Sequence, residues 1–215
     1  MYVWVPVSTQ ALTQSTPDVE VQIRRNLAMA SALKFDQWGI NGTGVGAIPR
    51  GILNLAGDEA ILSYAPVAPG ANGDPASWNW VTKMWAEVAA SNALMGTPRW
   101  LMGARLAAKL MSTEKAANTA NFIMNEISGN VMSYPVSISN QIPEGGTKGT
   151  GGQLAHCIFG DISQVLMASW GQVNISVDPY SFSPHGYVAV GLERFVDVSI
   201  LQNKALVYSQ DLITR

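Results

Sequence analysis

Between residues 15 and 38 the apolar positions recur at helical spacing. Ile23, Leu27, Ala30 and Lys34 follow one line, Val19, Ala30 and Leu33 widen the stripe, and Gln22, Arg24 and Arg25 fall largely elsewhere. Ser15-Thr16-Pro17-Asp18 supplies a hydroxyl cap, a proline suited to the first helical position and an acid near the positive end of the dipole. The spacing therefore predicts a long helix over 17–38, ended by Gly39 and Gly42. Helical spacing returns at Val81, Met84, Trp85 and Val88, and Asp74-Pro75 predicts the start of that second helix. An aromatic stripe of this kind reads as core packing rather than a cofactor box. A third helix is expected over 104–111, with Leu106 and Leu110 on one face.

The remainder alternates. Residues 99–102 read as a short strand, and Val136 and Ile138 alternate with Ser137, Ser139 and Asn140 as a half-buried strand. Strands are expected at 157–159, 165–170, 173–177 and 204–208. The longest alternation places Val188, Val190, Leu192, Arg194, Val196, Val198 and Ile200 on one face. Ala189, Gly191, Glu193, Phe195, Asp197 and Ser199 take the other. Arg194 breaks the apolar face, so it needs a carboxylate partner or an exposed strand end. Residues 66–75 read as an exposed loop and 144–152, with its run of glycines, as a flexible one. The long helix requires a sheet to bury its stripe, and the long alternating strand is the best partner for it.

Composition sharpens this picture. Hydrophobic residues make up 47% of the 215, enough for a substantial core. Charged residues are only 13%, against roughly 25% in a typical soluble domain. A charge-poor surface suits a protein that other subunits cover. Thirteen basic and fifteen acidic residues leave a net charge of −2 with no basic run, so no footprint for tight nucleic-acid binding is visible. The lone Cys157 cannot form an internal disulfide and fits a reducing compartment. No apolar run approaches the roughly 20 residues of a membrane span.

Candidate chemistry is sparse. Gly42-Thr43-Gly44-Val45-Gly46 follows a predicted helix and precedes Pro49, the reverse of a dinucleotide-binding context. The 144–152 glycines lack the order of a phosphate loop. His156, His185 and Cys157 do not make a structural zinc set. His156 and Cys157 as strand neighbours point to opposite faces, which fits a buried cysteine beside a loop histidine rather than a nucleophile and base. Ser163 with His185 and an aspartate stays open, although no serine has a nucleophile elbow. Asp161, in a turn, is expected to cap backbone amides. No catalytic, cofactor-binding or metal-binding residue is assigned.

Several segments then stand in a characteristic order. They are Val5-Pro6-Val7-Ser8, the long helix, Pro49-Arg50-Gly51-Ile52-Leu53, Arg99-Trp100-Leu101-Met102, Ser133-Tyr134-Pro135-Val136-Ser137-Ile138-Ser139, Phe159-Gly160-Asp161-Ile162-Ser163 and Glu193-Arg194-Phe195-Val196-Asp197-Val198. Over nearly the whole chain this order resembles the tailed-phage major capsid proteins of the Hong Kong 97 type. The resemblance implies an α+β fold with the long helix as spine. A P domain would be split between 1–54 and 183–215, with an A domain inserted at 55–182. It implies a structural protein, not an enzyme, that self-assembles into the pentamers and hexamers of an icosahedral shell enclosing DNA. No cofactor, small-molecule substrate or membrane is expected, and contact with packaged double-stranded DNA is expected to be weak and non-specific. The expected location is the virion capsid, assembled in the bacterial host cytoplasm, with residues 144–152 near the ring axis. The family's N-terminal arm and E-loop would precede residue 1, so this sequence is expected to lack them, and no cross-linking residue is carried over. Gly103 departs from the asparagine that the family often places after tryptophan-leucine-methionine, which leaves the bonding of that turn open. An encapsulin-like cargo shell shares the implied fold, and a small hydrolase using His185 is the other alternative.

Overall fold

A computed structural model describes residues 1–14, 18–55, 62–63, 71–125 and 128–215. It contains a small antiparallel sheet crossed by one long helix and a larger mixed sheet with a dense aromatic core.

The small sheet has the order β1 (Tyr2–Ser8), β10 (Tyr187–Ile200), β9 (Val165–Asp178). β9 and β10 are each 14 residues long, and the pairing skips between Trp170 and Asn174, so the two expected strands 165–170 and 173–177 are one strand with a bulge. The helix α2 (Asp18–Asn41) lies on this sheet, as its stripe requires. The covered row is Ile23, Leu27, Ser31 and Phe35, and Leu27 is only 1% exposed. Ala30 and Lys34 are exposed and Leu33 is 57% exposed, so the expected stripe is corrected by part of a turn. A three-stranded sheet is narrow, and it covers a single i, i+4 row instead of a broad face. Arg25 is exposed, on the solvent side as the spacing suggests.

α2 also runs further than predicted, because Gly39 remains inside it, packed against Met167. Gly42 is the stop. Its N–H donates to Trp38 O at 2.9 Å and its carbonyl accepts from Gly51 N at 2.9 Å, leaving no room for a Cβ. The proposed cap at Ser15, Thr16 and Pro17, and the loop residues 66–70, lie outside the described residues.

The large sheet runs β2 (Leu62–Ser63), β11 (Leu206–Ile213), β8 (Gly151–Asp161), β4 (Pro98–Met102), β6 (Tyr134–Ile138), β5 (Asn130–Val131). β3 (Asp74–Pro75) also pairs with β11, and β7 (Glu144–Lys148) with β8. Asp74 and Pro75 therefore belong to a strand, parallel to Leu212 and Ile213, and do not open a helix. The helix α3 (Trp78–Ala90) begins behind Ser77, whose hydroxyl accepts from Trp80 N at 3.4 Å. Val81, Met84 and Val88 of α3, with Leu106 and Leu110 of α4 (Ala104–Ser112), are fully buried in the core with Trp100, Met102, Phe159 and Val207. Trp100 stacks on Phe159 with ring centroids 4.2 Å apart and donates from Nε1 to Val131 O at 3.1 Å. Trp80 Nε1 donates to Ser209 Oγ at 3.0 Å, so both indole N–H groups are satisfied inside the core. A second cluster, Ile40, Ile52, Ile142, Ile158, Leu206 and Tyr208, seals the end of α2 to this sheet.

Two further expectations change. Residues 144–152 form the ordered hairpin of β7 and β8 rather than a flexible loop. Ile138 is exposed, not turned inward. Neither sheet is built from one of the segments 1–54, 55–182 and 183–215 alone. β9, from the middle segment, pairs in the small sheet, while β11, from the last, lies inside the large one.

Candidate assembly surface

The residues singled out for chemistry are kept apart or used structurally. His156 lies on β8 rather than in a loop, next to the fully buried Cys157. Burial pushes the Cys157 thiol up, away from the reactive thiolate. Burial holds the His156 pKa down against the opposing charge of Asp211, and its Nδ1 is buried without a hydrogen-bond partner. Ser163 precedes β9 and His185 follows it. A strand of that length spans roughly 45 Å, so the two cannot form a catalytic pair. Asp161 caps the turn after β8, accepting from Ser163 N at 3.0 Å. Burial alone would raise its pKa, but hydrogen bonds from Ser163, Gln164 and the Thr97 N–H together hold it below the usual carboxylate range. A cavity of about 540 Å³ opens beside Trp78, and among the described residues its one titratable lining residue, Lys115, lies 4.8 Å over the Trp78 ring. Among the described residues no cluster of three His, Cys, Asp or Glu could hold a metal.

Arg194 takes neither of the two expected solutions. Its Nε donates to Ser169 Oγ at 2.9 Å and its guanidinium lies 5.1 Å from the centroid of Phe35 on α2. It therefore serves as the polar seam between helix and sheet.

The small sheet is unusual in what it leaves open. Phe195 and Trp170 pair across β10 and β9 on the face away from α2, and are 63% and 55% exposed. Leu166 extends that face, and Trp4 stacks on Phe182 at 5.2 Å beside it. Val21, Met29 and Leu33 are exposed on the outer side of α2, in a row interrupted by Arg25. Among the described residues β9 is paired on one side only, and its single charge is Asp178 at the end. Natural edge strands are normally shortened, charged or covered. A long, nearly uncharged edge beside exposed aromatics has the composition of a contact surface. Exposed aromatics alternating with polar positions gave a sequence signal, but only the pairing shows that Phe195 and Trp170 meet.

The β7–β8 hairpin is the other projecting element. Lys148 Nζ contacts Asp211 Oδ2 at 2.6 Å, and Asn72 Oδ1 accepts from Thr150 N at 3.0 Å, so the tip is tied to two neighbouring segments.

Solved structures with this arrangement include the capsid of a native GTA particle (TM-score 0.72, 20% identity, 99% of this chain and 72% of that one). A structure from Microbacterium phage Oxtober96 matches with TM-score 0.67 and 11% identity, over 99% of this chain and 71% of that one. An encapsulin complex from Synechococcus elongatus also matches, with TM-score 0.63 and 11% identity, over 100% of this chain and 74% of that one. At the sequence level the major capsid protein of Halomonas phage phiHAP-1 is 25% identical over 205 residues. That alignment covers 94% of this chain but only 30% of the relative, so the chain spans about a third of that protein's length. The model of the phage capsid family matches residues 1–211. Spine helix, split sheets and a family match over almost every residue agree, and the chain belongs to the phage capsid family with the Hong Kong 97-type α+β fold.

Proposed function

We propose that this chain is the folded body of a major capsid protein, which self-associates into the pentamers and hexamers of a shell around double-stranded DNA. The exposed apolar surface of the small sheet carries this reading, because a charge-poor chain leaves its aromatics and its longest strand edge open. Heterologous contacts of such a surface with a second copy close into rings when the rotation permits. The β7–β8 hairpin would lie near the ring axis. DNA contact would be weak and non-specific, as the balanced charge suggests. The virion capsid is the corresponding location, with assembly in the host cytoplasm. The family match favours a phage head over an encapsulin-type cargo shell, which shares the fold.

Particle size tests the reading. Light scattering and negative-stain microscopy across a concentration series should show rings or shells, and Phe195→Glu should shift the onset to higher concentration. A strictly monomeric mass at high concentration would overturn the proposal.

A further inference from the structure

We propose that Glu144 is a latch that holds the β7–β8 hairpin on the N-terminus of α4, and that residue 103 is glycine so that the latch can close. The first helical N–H groups of α4 need acceptors that the helix cannot supply. Gly103 sits at the cap position with φ −79° and ψ 167°, the extended geometry of a capping residue, yet it has no side chain to cap with. The acceptor arrives from about forty residues along the chain. Glu144 Oε1 accepts from Arg105 N at 3.1 Å and from Leu106 N at 3.2 Å, and Oε2 from Arg105 N at 3.4 Å. A Cβ on residue 103 would overlap the Glu144 carboxylate. A capping asparagine at 103 and the glutamate therefore exclude one another.

The hairpin needs the fastening. Its pairing to β8 shifts register twice within five residues, between Glu144 and Gly146 and between Gly146 and Lys148, and Gly145 and Gly146 offer no side chain to pack. A carboxylate on two helix-terminal amides is a charge-assisted contact of the stronger kind, placed at the positive end of the helix. The latch thus couples the position of the hairpin to the large core through Leu106, which is fully buried.

The test is tryptic cleavage after Lys148, read by mass on unassembled subunits, so its outcome is independent of whether the hairpin meets a second copy. Local opening governs such cleavage. Glu144→Ala should raise the rate about five- to tenfold, the change expected for losing a cap. Gly103→Asn should raise it similarly by expelling the glutamate, while supplying α4 with a local cap. The double variant Gly103→Asn/Glu144→Ala should recover the urea midpoint lost by Glu144→Ala and still be cleaved fast. Glu144→Gln, which keeps an acceptor but loses the charge, should fall between the parent and Glu144→Ala. Cleavage after Arg99, inside β4, should not change in any of them. Unchanged cleavage after Lys148 in both Glu144→Ala and Gly103→Asn would overturn the proposal, as would a double variant whose hairpin is again protected.

Discussion

The two sheets solve opposite problems with similar residues. In the large sheet aromatics turn inward. Trp80, Trp100 and Phe159 stack in one core, and their polar N–H groups find buried partners. In the small sheet aromatics turn outward, and one helix covers one face. The first holds most of the fully buried side chains, and the second carries the exposed aromatics on which the proposed contact rests. A shell subunit needs both, because a surface that must be covered by neighbours cannot also be the place where the isolated chain holds itself together.

Four predictions sharpen or break that contrast, taken from the largest effect to the smallest. Trp100→Ala should cost about 3–5 kcal/mol, since it removes a fully buried ring and leaves Val131 O without its donor, and urea unfolding of the monomer measures it. Leu27→Ala should cost about 2–3 kcal/mol, the low end for a buried leucine, because Leu27 is the one fully buried residue described on a helix with its outer side open. If the leucine proves the more costly of the two, the small sheet is not the weaker unit and the contrast fails.

The third prediction concerns acid. Asp161 has its folded pKa below the unfolded value, so its contribution is present above about pH 4 and is lost as pH falls through the lower folded value. Asp161→Asn should therefore be less stable than the parent at neutral pH, with the difference shrinking as pH drops below about 4. A difference that grows with acid would contradict the capping role. The fourth is the smallest in stability and the largest in assembly. Trp170→Ser and Arg25→Ala should each change monomer stability by less than about 0.5 kcal/mol. Trp170→Ser should weaken association measured by sedimentation, because the ring lies exposed on the contact face. Equal assembly by that variant and the parent would remove the outer face of the small sheet from the interface.

Much of this was legible in the residues. The α2 period, the stripe Val81, Met84 and Val88, the strand at Arg99 to Met102 and the capping of Asp161 follow local rules, and each stands in the structure. What failed was set by distant partners. Asp74-Pro75 looks like a helix start until Leu212 and Ile213 claim its backbone. The glycine-rich segment 144–152 looks free until Asn72, Asp211 and the α4 N-terminus hold Thr150, Lys148 and Glu144. The row of α2 that is buried depends on the width of a sheet whose strands come from both ends of the described chain. The inward stripe of α3 was readable because its spacing is local. The contact surface was not, because apolar residues at alternating positions do not announce which face stays open.

The place of β11 has a consequence for the order of events in synthesis. It lies between β2 and β8, and it contributes Leu206, Val207 and Leu212 to the cores on both faces of the large sheet. Until that stretch has left the ribosome, β8 has an open flank and the core has a gap. All three strands of the small sheet, by contrast, lie before residue 201. A chain halted at residue 200 should be digested by protease far faster than the full chain. If so, β11 acts as a quality gate, since only polypeptides extended past residue 213 would carry a body firm enough to take a place in a shell.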